Sequence, residues 1–308
     1  MYKSNYDEAK TLINNAKKEL SRYSWFIDYE KAFNLYIEGL ENYNKYLCKL
    51  NTNAIYRLSD YKECQREMLN NYIDVINMYM KYNHKIINYH KIMIILTNYL
   101  QLCNNMCINC NDNIEKFLNK EKFLPESIST HEFTLLEKEK IYSLLAENYV
   151  IRKNYYKAIE YYEKILMYLT LAGGHYMKNA EILKKIIEVN IITGDYNKAS
   201  KHYKEIARLS SLKRLTNFNT SLYLIQSIII IMDIKTDDEI KEMIDEYNNL
   251  YSQFTNTGDY ILLNDILQAY KNKDISQLQT INKQCCFKFD PVVINKIDNI
   301  IKYINNYK

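Results

Sequence analysis

The chain has 308 residues with 5 Gly and 2 Pro, and its 41 Lys and Arg against 37 Asp and Glu give a net charge of +4. So few helix breakers predict an all-helical protein, and so small a charge gives no indication of nucleic-acid binding. The apolar runs 92–96 and 222–234 are too short to cross a bilayer and indicate buried helices instead.

The first predicted helix covers residues 2–20. Its apolar side chains recur at helical spacing, which predicts one buried stripe; they are Ala9, Leu12, Ile13, Ala16 and Leu20. No signal peptide precedes this helix, and the chain has an odd number of cysteines, seven. We therefore expect reduced thiols in a cytoplasmic protein.

A short cassette organises the rest of the chain. It consists of Asp or Asn, Tyr, two variable positions, Ala, and a second Tyr four residues later, and it occurs at 28–36, 154–162 and 195–203. The acidic or amide residue is suited to cap a helix, while Ala and Tyr at i and i+4 share one helix face. No catalytic chemistry is implied by this pattern.

Weaker copies of the cassette place Val75, Phe117 and Ile240 at the Ala position. The series 32, 75, 117, 158, 199, 240 then has steps of 41 to 43 residues, a period typical of stacked helix pairs. We predict a TPR-like right-handed superhelix over residues 1–220. Residues 221–308 would form a C-terminal helical bundle packed on it, within one continuous elongated unit.

The pattern loosens over 103–131, and helix resumes at about Glu132. Gly173-Gly174 and Gly194 are predicted to separate helices. The segment that follows residue 222 should be the most buried part of the chain. After Asp290-Pro291, a final amphipathic helix is predicted from apolar residues that share a face; they are Ile294, Ile297, Ile301 and Ile304.

Catalytic and metal sites find little support. There is no phosphate loop, dinucleotide fingerprint or nucleophile elbow, and no Ser/His/Asp arrangement can be read, so we predict no enzyme and no cofactor. Cys103, Cys107 and Cys110 have spacings that a zinc site could use, with His84, His90 or Cys64 as a fourth ligand. Unpaired cysteines on helix faces are the favoured interpretation, and Cys285-Cys286 is interpreted as a buried apolar pair.

Two features allow two interpretations each. The loop before Asp28 contains Trp25 and Phe26, which either pack as a hydrophobic staple or touch a membrane interface. From Lys138 to Arg214, Lys and Arg outnumber Asp and Glu by 15 to 8. This surplus is either a solvated outer face or, if it lies on one face, a surface that attracts an acidic partner.

The ordered series over residues 132–304 resembles the soluble NSF attachment protein (SNAP) family, whose members coat SNARE bundles and present them to the ATPase NSF. The family's K-A-I-x-x-Y-E run is similar to 157–163, its L-L-K-V-A…Q-Y-x-K-A run to 183–187 and 195–199, and its F-S-D-S…L-L-E-A segment to 254–269. The helix after Asp290 resembles the family's last long helix. The resemblance implies an all-helical adaptor and no enzyme.

The resemblance also implies site residues. Lys140 and Lys185 fall on family lysines that contact the acidic SNARE bundle, and Lys184 would compensate where a family lysine is replaced by Glu181. The loop with Trp25 and Phe26 falls where the family touches the membrane. A further family basic position is occupied by Gly258.

The C-terminal region departs from the family. Acidic residues that bind and stimulate the ATPase are expected after position 269, where this chain has Tyr270-Lys271-Asn272-Lys273, and the residues 303–308 hold no acidic tail or penultimate Leu. Recruitment of an NSF-type AAA ATPase is therefore doubtful, since lost carboxylates weaken an electrostatic interface.

The resulting hypothesis is a SNAP-like adaptor of vesicle-mediated intracellular protein transport. It would be cytoplasmic, peripherally associated with membranes, and would bind SNARE coiled-coil bundles for their disassembly. Two alternatives stay open: a SNARE-binding mimic or competitor that lacks ATPase activation, and a generic TPR-like scaffold that binds a peptide in a groove lined by Asn and Tyr.

Overall fold

The computed structural model describes residues 3–22, 27–52, 58–82, 89–109, 111–120, 132–171, 173 and 176–306, and over these ranges it is helical with no strand. The chain divides into two compact units, residues 1–154 and 155–308. In each unit, most helices that follow one another along the chain pack as neighbours. This confirms the prediction of an all-α, TPR-like fold, whereas the predicted boundary at residue 220 stays a prediction.

The first unit contains six described helices: α1 (Lys3–Leu20), α2 (Tyr29–Thr52), α3 (Leu58–Tyr82), α4 (Tyr89–Met106), α5 (Asn111–Lys120) and α6 (Glu132–Ile151). The second contains eight: α7 (Tyr155–Leu171), α8 (Tyr176–Ile192), α9 (Tyr196–Ser211), α10 (Thr220–Ile229), α11 (Asp237–Leu250), α12 (Gly258–Lys271), α13 (Ile275–Gln284) and α14 (Pro291–Asn306). The predicted start of α6 at Glu132 is confirmed.

The key positions of the cassette are core positions. All six side chains at these positions are buried, at 0 to 6% exposure; they are Ala32, Val75, Phe117, Ala158, Ala199 and Ile240. The Tyr residues four positions later are buried as well, in the three clear copies and in the weaker copy at 71–79; they are Tyr36, Tyr162, Tyr203 and Tyr79. The cassette thus marks where a helix contacts its neighbours, as the spacing of Ala and Tyr predicts.

The capping residue of the cassette behaves as predicted in two copies and differs in two others. Asp28 and Asp195 accept hydrogen bonds from the backbone N–H groups of Lys31 (2.9 Å) and Lys198 (3.2 Å). In the weaker copy at 71–79, however, Asn71 lies in the middle of α3 and is buried. Because α2 and α3 are long, the 43-residue step of the repeat from Ala32 to Val75 crosses only one junction between helices. At α11 the cap is Thr236, in a capping box with Glu239, one residue before the predicted Asp237.

Gly39 allows α1 and α2 to approach closely. A Cβ atom added at Gly39 would lie 2.8 Å from Ile13 Cδ1 and 3.3 Å from the carbonyl oxygen of Ala9. The α1 stripe that faces α2 includes Ala9, Ile13 and Ala16, all buried as predicted. Small residues on both helices thus bring their backbones together, and α2 then packs on α3, α3 on α4, and α4 on α6.

The core of the second unit centres on α10. Residues 224–232 are buried, which confirms the prediction for this segment, but the helix ends at Ile229 and the chain turns over 230–234. Gly194 ends the preceding hairpin with φ of 78°, and the N–H of Asp195 bonds to the carbonyl of Asn190 (2.8 Å), which closes α8. On α14, Ile297, Ile301 and Ile304 are buried, whereas Ile294 is half-buried.

Polar residues that interrupt the apolar run 222–234 bond to buried side chains of other helices. Ser227 bonds to the hydroxyl of Tyr247 (2.7 Å). Asp233 accepts from Nζ of Lys296 (2.7 Å), an ammonium group that also lies 3.8 Å from the ring centroid of Tyr196. Lys296 is only 6% exposed, so the charge is compensated inside the unit, as buried charges require.

Candidate partner-binding surface

The predicted basic residues lie on two helices that belong to different units. Lys140 is on α6 in the first unit, and Lys184 and Lys185 are on α8 in the second. The structure thus brings Lys184 and Lys185 together on one helix and places Lys140 within the other unit.

Lys140 is exposed on α6. The buried side of this helix is formed by Ile141, Tyr142 and Leu145, so the helix turns its apolar stripe into the unit and leaves Lys140 in solvent. Two residues earlier, Lys138 is half-buried, and burial lowers the pKa of its ammonium group. Lys140 is therefore the more accessible of these two cations for an external carboxylate.

Helix α8 is buried on two sides because it packs between α7 and α9. Eight of its side chains are buried, including Ile182, Leu183, Ile186 and Ile187. In the middle of the helix, the side chains outside this core form a narrow strip of mixed charge; they are Glu181, Lys184, Lys185 and Glu188. The two ends of α8 add the half-buried Lys178 and the exposed apolar side chains of Met177 and Ile192. A partner of α8 would meet this strip.

Lys184 is engaged within the protein. Its Nζ atom lies 2.7 Å from Asp290 Oδ1 and 5.2 Å from the ring centroid of Tyr223. Burial opposes the charged form of this half-buried side chain, but the hydrogen bond and attraction of Asp290 outweigh burial and raise the pKa of Lys184.

Asp290 gathers several donors at the start of α14. Besides Lys184, the hydroxyl of Tyr203 donates to its Oδ2 (3.1 Å), and its own N–H donates to Oε1 of Gln226 (2.8 Å). Burial and then Asp290 raise the pKa of Tyr203 well above its usual value, so the phenol stays a donor. Sequence reasoning used Asp290 only to align the last helix; Gln226 inside the apolar run was the signal of a buried polar partner.

Lys185 has a different setting from Lys184. Its Nζ atom lies 5.9 Å from the ring centroid of Tyr162, a cassette residue of α7. One turn later on α8, burial first and the nearby Asp290 second raise the pKa of Glu188. A raised pKa makes this carboxylate more easily protonated than an ordinary glutamate.

Several basic residues of the second unit form ion pairs with carboxylates close to them in the chain. Ion pairs within α7 and α9 join Lys164 to Glu160 (2.7 Å) and Arg208 to Glu205 (2.6 Å), and Lys198 pairs with Asp195 (2.8 Å). Exposed pairs of this kind are typical of a solvated face. The surplus therefore does not act as one uniform charged face within this unit.

The turn after α12 is basic. Lys271 ends the helix and pairs with Asp237 of α11 (2.6 Å), and Lys273 has a positive φ of 53° and is exposed. The region in which the resemblance calls for acidic residues thus presents ammonium groups. At the other departure from the family, Gly258 is the first residue of α12, behind the capping residue Thr257.

The remaining predicted site residues are the loop residues Trp25 and Phe26 and the cysteines. Trp25, Phe26 and Cys110 lie outside the described residues. Cys103 is buried and Cys107 is exposed, and within the described ranges no group of three or more His, Cys, Asp or Glu side chains is placed to hold a metal ion. Cys285 is buried as predicted, but Cys286 is exposed, because the turn after α13 directs neighbouring side chains to opposite sides.

No helix in the described part of the chain combines the length and the apolar character needed to span a membrane.

Comparison with known proteins gives one result on family and one negative result. No curated protein sequence matches the chain. The family model described as soluble NSF attachment protein, SNAP, matches residues 139–301. This range begins one residue before Lys140 and covers α7 to α13 and most of α14, that is, just over half of the chain. The chain belongs to the soluble NSF attachment protein family.

Proposed function

We propose that this protein is an adaptor that binds SNARE coiled-coil bundles and acts in vesicle-mediated intracellular transport. The observation that supports this most is the family match over residues 139–301, which includes all three basic residues named above. The partner would be an assembled SNARE complex, and the protein itself would have no catalytic role.

Lys140 and Lys185 are proposed to make direct contacts with acidic side chains of the bundle. Lys140 is exposed, and Lys185 lies on the polar strip of α8. Lys184 is also proposed as a contact residue, but any contact it makes competes with its 2.7 Å ion pair to Asp290. We therefore expect this pair to reduce the contribution of Lys184, since an ammonium must give up one carboxylate to bind another.

A pull-down with an assembled SNARE bundle tests this function. The double variant Lys140→Glu/Lys185→Glu should lose about tenfold or more in affinity, and the remaining binding should be less sensitive to salt. The matched control is Lys62→Glu/Lys302→Glu, which changes the net charge equally and reverses one exposed lysine in each unit. Equal affinity of the two double variants, or no binding of the wild type, would contradict the proposal.

Contact with a membrane through Trp25 and Phe26 is a further part of the proposal, and it rests on the family resemblance of this loop. Indole and phenyl rings are favoured at the membrane–water interface. Trp25→Ser/Phe26→Ser should weaken co-sedimentation with phosphatidylcholine vesicles and leave SNARE binding in solution unchanged. A double variant that sediments as the wild type does would exclude this contact.

A second candidate function retains SNARE binding without activation of an NSF-type ATPase. It is favoured by the basic turn that contains Lys271 and Lys273 at a position where carboxylates would be expected. We expect the protein to compete with a conventional adaptor in an ATP-dependent SNARE disassembly assay. Release of SNAREs by this protein and the ATPase alone, at ordinary adaptor concentration, would rule out this second function and support the first.

A further inference from the structure

A groove in the first unit lies between α2 and α4, both of which pack on α3. It consists of two adjoining cavities of about 180 and 230 Å³, and both are lined by Asn44 and Asn98. The first cavity extends from these two residues toward Ile37 and Ile94, and the second extends in the opposite direction toward Asn105. The two cavities therefore adjoin at these two residues and lie one after the other along the groove.

The walls of this groove run in the same direction and in register. Lining residues on α2 extend from Ile37 to Cys48, and those on α4 from Lys91 to Asn105. At a rise of 1.5 Å per residue these stretches are roughly 16 and 21 Å long. An extended chain advances about 3.3 Å per residue, so the groove accommodates about five residues of it.

The lining is rich in amide side chains and poor in charge. Gln65, Gln101 and Asn105 join Asn44 and Asn98 along the second cavity. Among the described lining residues only Glu41 and Lys91 are charged, and both lie at the other end. A primary amide offers donors and an acceptor at once, as a peptide group does. Such a lining is complementary to a polypeptide main chain rather than to a charged ligand.

Two of these amides lie beside a phenol on the floor of the groove. The buried Tyr72 lines the first cavity together with Asn44 and Asn98, in reach of both amide groups, and burial raises the pKa of Tyr72 to about 12. One phenol thus contributes to the packing of both walls on the floor of the groove. Each amide keeps further hydrogen-bonding capacity, because Asn has two donor hydrogens and an acceptor with two lone pairs. With this phenol in reach, the amides are positioned before any ligand arrives, which reduces the entropy lost on binding.

An apolar site lies at one end of the groove. Ile94 is 47% exposed although it is on the wall of the groove, and Ile37 lines the same cavity from α2. Exposed apolar surface inside a concave site favours an apolar side chain of a ligand.

We propose that this groove binds an extended, weakly charged segment of polypeptide through its main chain, with one apolar side chain of that segment placed against Ile94 and Ile37. The site goes beyond the SNARE-binding function proposed above and does not depend on it. The main-chain groups of a helical bundle are already paired within the helices, so an assembled bundle is not the ligand that the amides of this groove recognise.

The experiment uses a random heptapeptide library displayed on phage, selected on the full-length protein, followed by anisotropy titration of the enriched peptides. The exposed pair Gln101→Ala/Asn105→Ala should weaken binding about tenfold. Asn44→Ala/Asn98→Ala should do so as well, and circular dichroism checks its folding because both residues lie beside the buried Tyr72. The control Asn14→Ala/Asn70→Ala removes exposed amides from a separate cleft lined by α1, α2 and α3, and should change affinity less than twofold.

Binding through the main chain of the peptide is tested separately with chemically modified peptides. N-methylation of the central peptide amides should abolish binding, whereas Ala at the same positions should be tolerated. The proposal is overturned if no peptide is enriched, if enriched peptides bind Gln101→Ala/Asn105→Ala as tightly as the wild type, or if they tolerate N-methylation. Lys140→Glu/Lys185→Glu should leave peptide binding unchanged, so loss of SNARE binding and loss of the groove are measured separately.

Discussion

The carboxylate of Asp290 accepts a 2.7 Å hydrogen bond from Nζ of Lys184, which lies 106 positions earlier in the chain. It also accepts a 3.1 Å hydrogen bond from the hydroxyl of Tyr203. This arrangement connects α8, α9 and the start of α14 through one acidic residue. It also means that a lysine implied to contact a partner is already paired within its own unit.

Replacing Asp290 by Asn should destabilise the protein by about 1–2 kcal/mol, because Lys184 keeps its charge in a half-buried setting without a counter-ion. Urea unfolding followed by circular dichroism measures this. The control Asp237→Asn breaks an exposed pair with Lys271 and should cost less than about 0.5 kcal/mol. Equal stability of the two variants would mean that Asp290 is not a structural centre.

The buried pair of Lys296 and Asp233 gives an asymmetric prediction. Asp233→Ala leaves an almost fully buried ammonium with only the ring of Tyr196, and should cost about 2–4 kcal/mol. Lys296→Met removes the charge and keeps an unbranched side chain of similar length, so it should cost less, about 1 kcal/mol. Thermal unfolding of both variants measures the difference, and a larger loss from Lys296→Met than from Asp233→Ala would refute this account.

Gly39 should not tolerate a methyl group. Gly39→Ala places Cβ 2.8 Å from Ile13 Cδ1, so the variant should lose about 1–3 kcal/mol despite the higher helix propensity of Ala. Because the clash is with Ile13, Gly39→Ala should cost less in an Ile13→Ala background. Additive costs in this double-mutant cycle would show that the two residues do not interact.

The glycine at 258 is the matched control for Gly39. A Cβ added there meets no atom within 4 Å, and Gly258 lies at the start of α12. Gly258→Ala should therefore be neutral or slightly stabilising, since Ala also loses less backbone entropy on folding.

Thiol reactivity should follow burial. Burial, and then the nearby Glu67, raise the pKa of Cys64 to about 12, so at pH 8 almost no reactive thiolate is present. Iodoacetamide should modify the exposed Cys107 and Cys286 in the folded protein, and should reach the buried Cys64 and Cys103 only after unfolding. Peptide mapping by mass spectrometry measures the order, and rapid modification of Cys64 in the folded state would disprove its burial.

The periodicity of the sequence determined the fold class and much of the core. Ala32, Ala158 and Ala199 were identified from spacing alone and all are fully buried, because a 41-residue repeat with a fixed capping residue constrains which helix face meets its neighbours. The weaker copy at Asn71 shows the limit of this approach. A cassette defined by side-chain pattern cannot distinguish a helix start from the interior of a long helix.

The sequence by itself therefore determined an all-helical chain, its principal core positions and, through the ordered series of motifs, its family. The tertiary structure decided which polar residues are available to a partner. Lys184, for example, is half-buried and pairs with Asp290, a residue more than a hundred positions away. The amide groove between α2 and α4 likewise depends on tertiary packing. Helical spacing places Asn98 and Asn105 on one face, but only packing on α3 sets that face opposite Asn44.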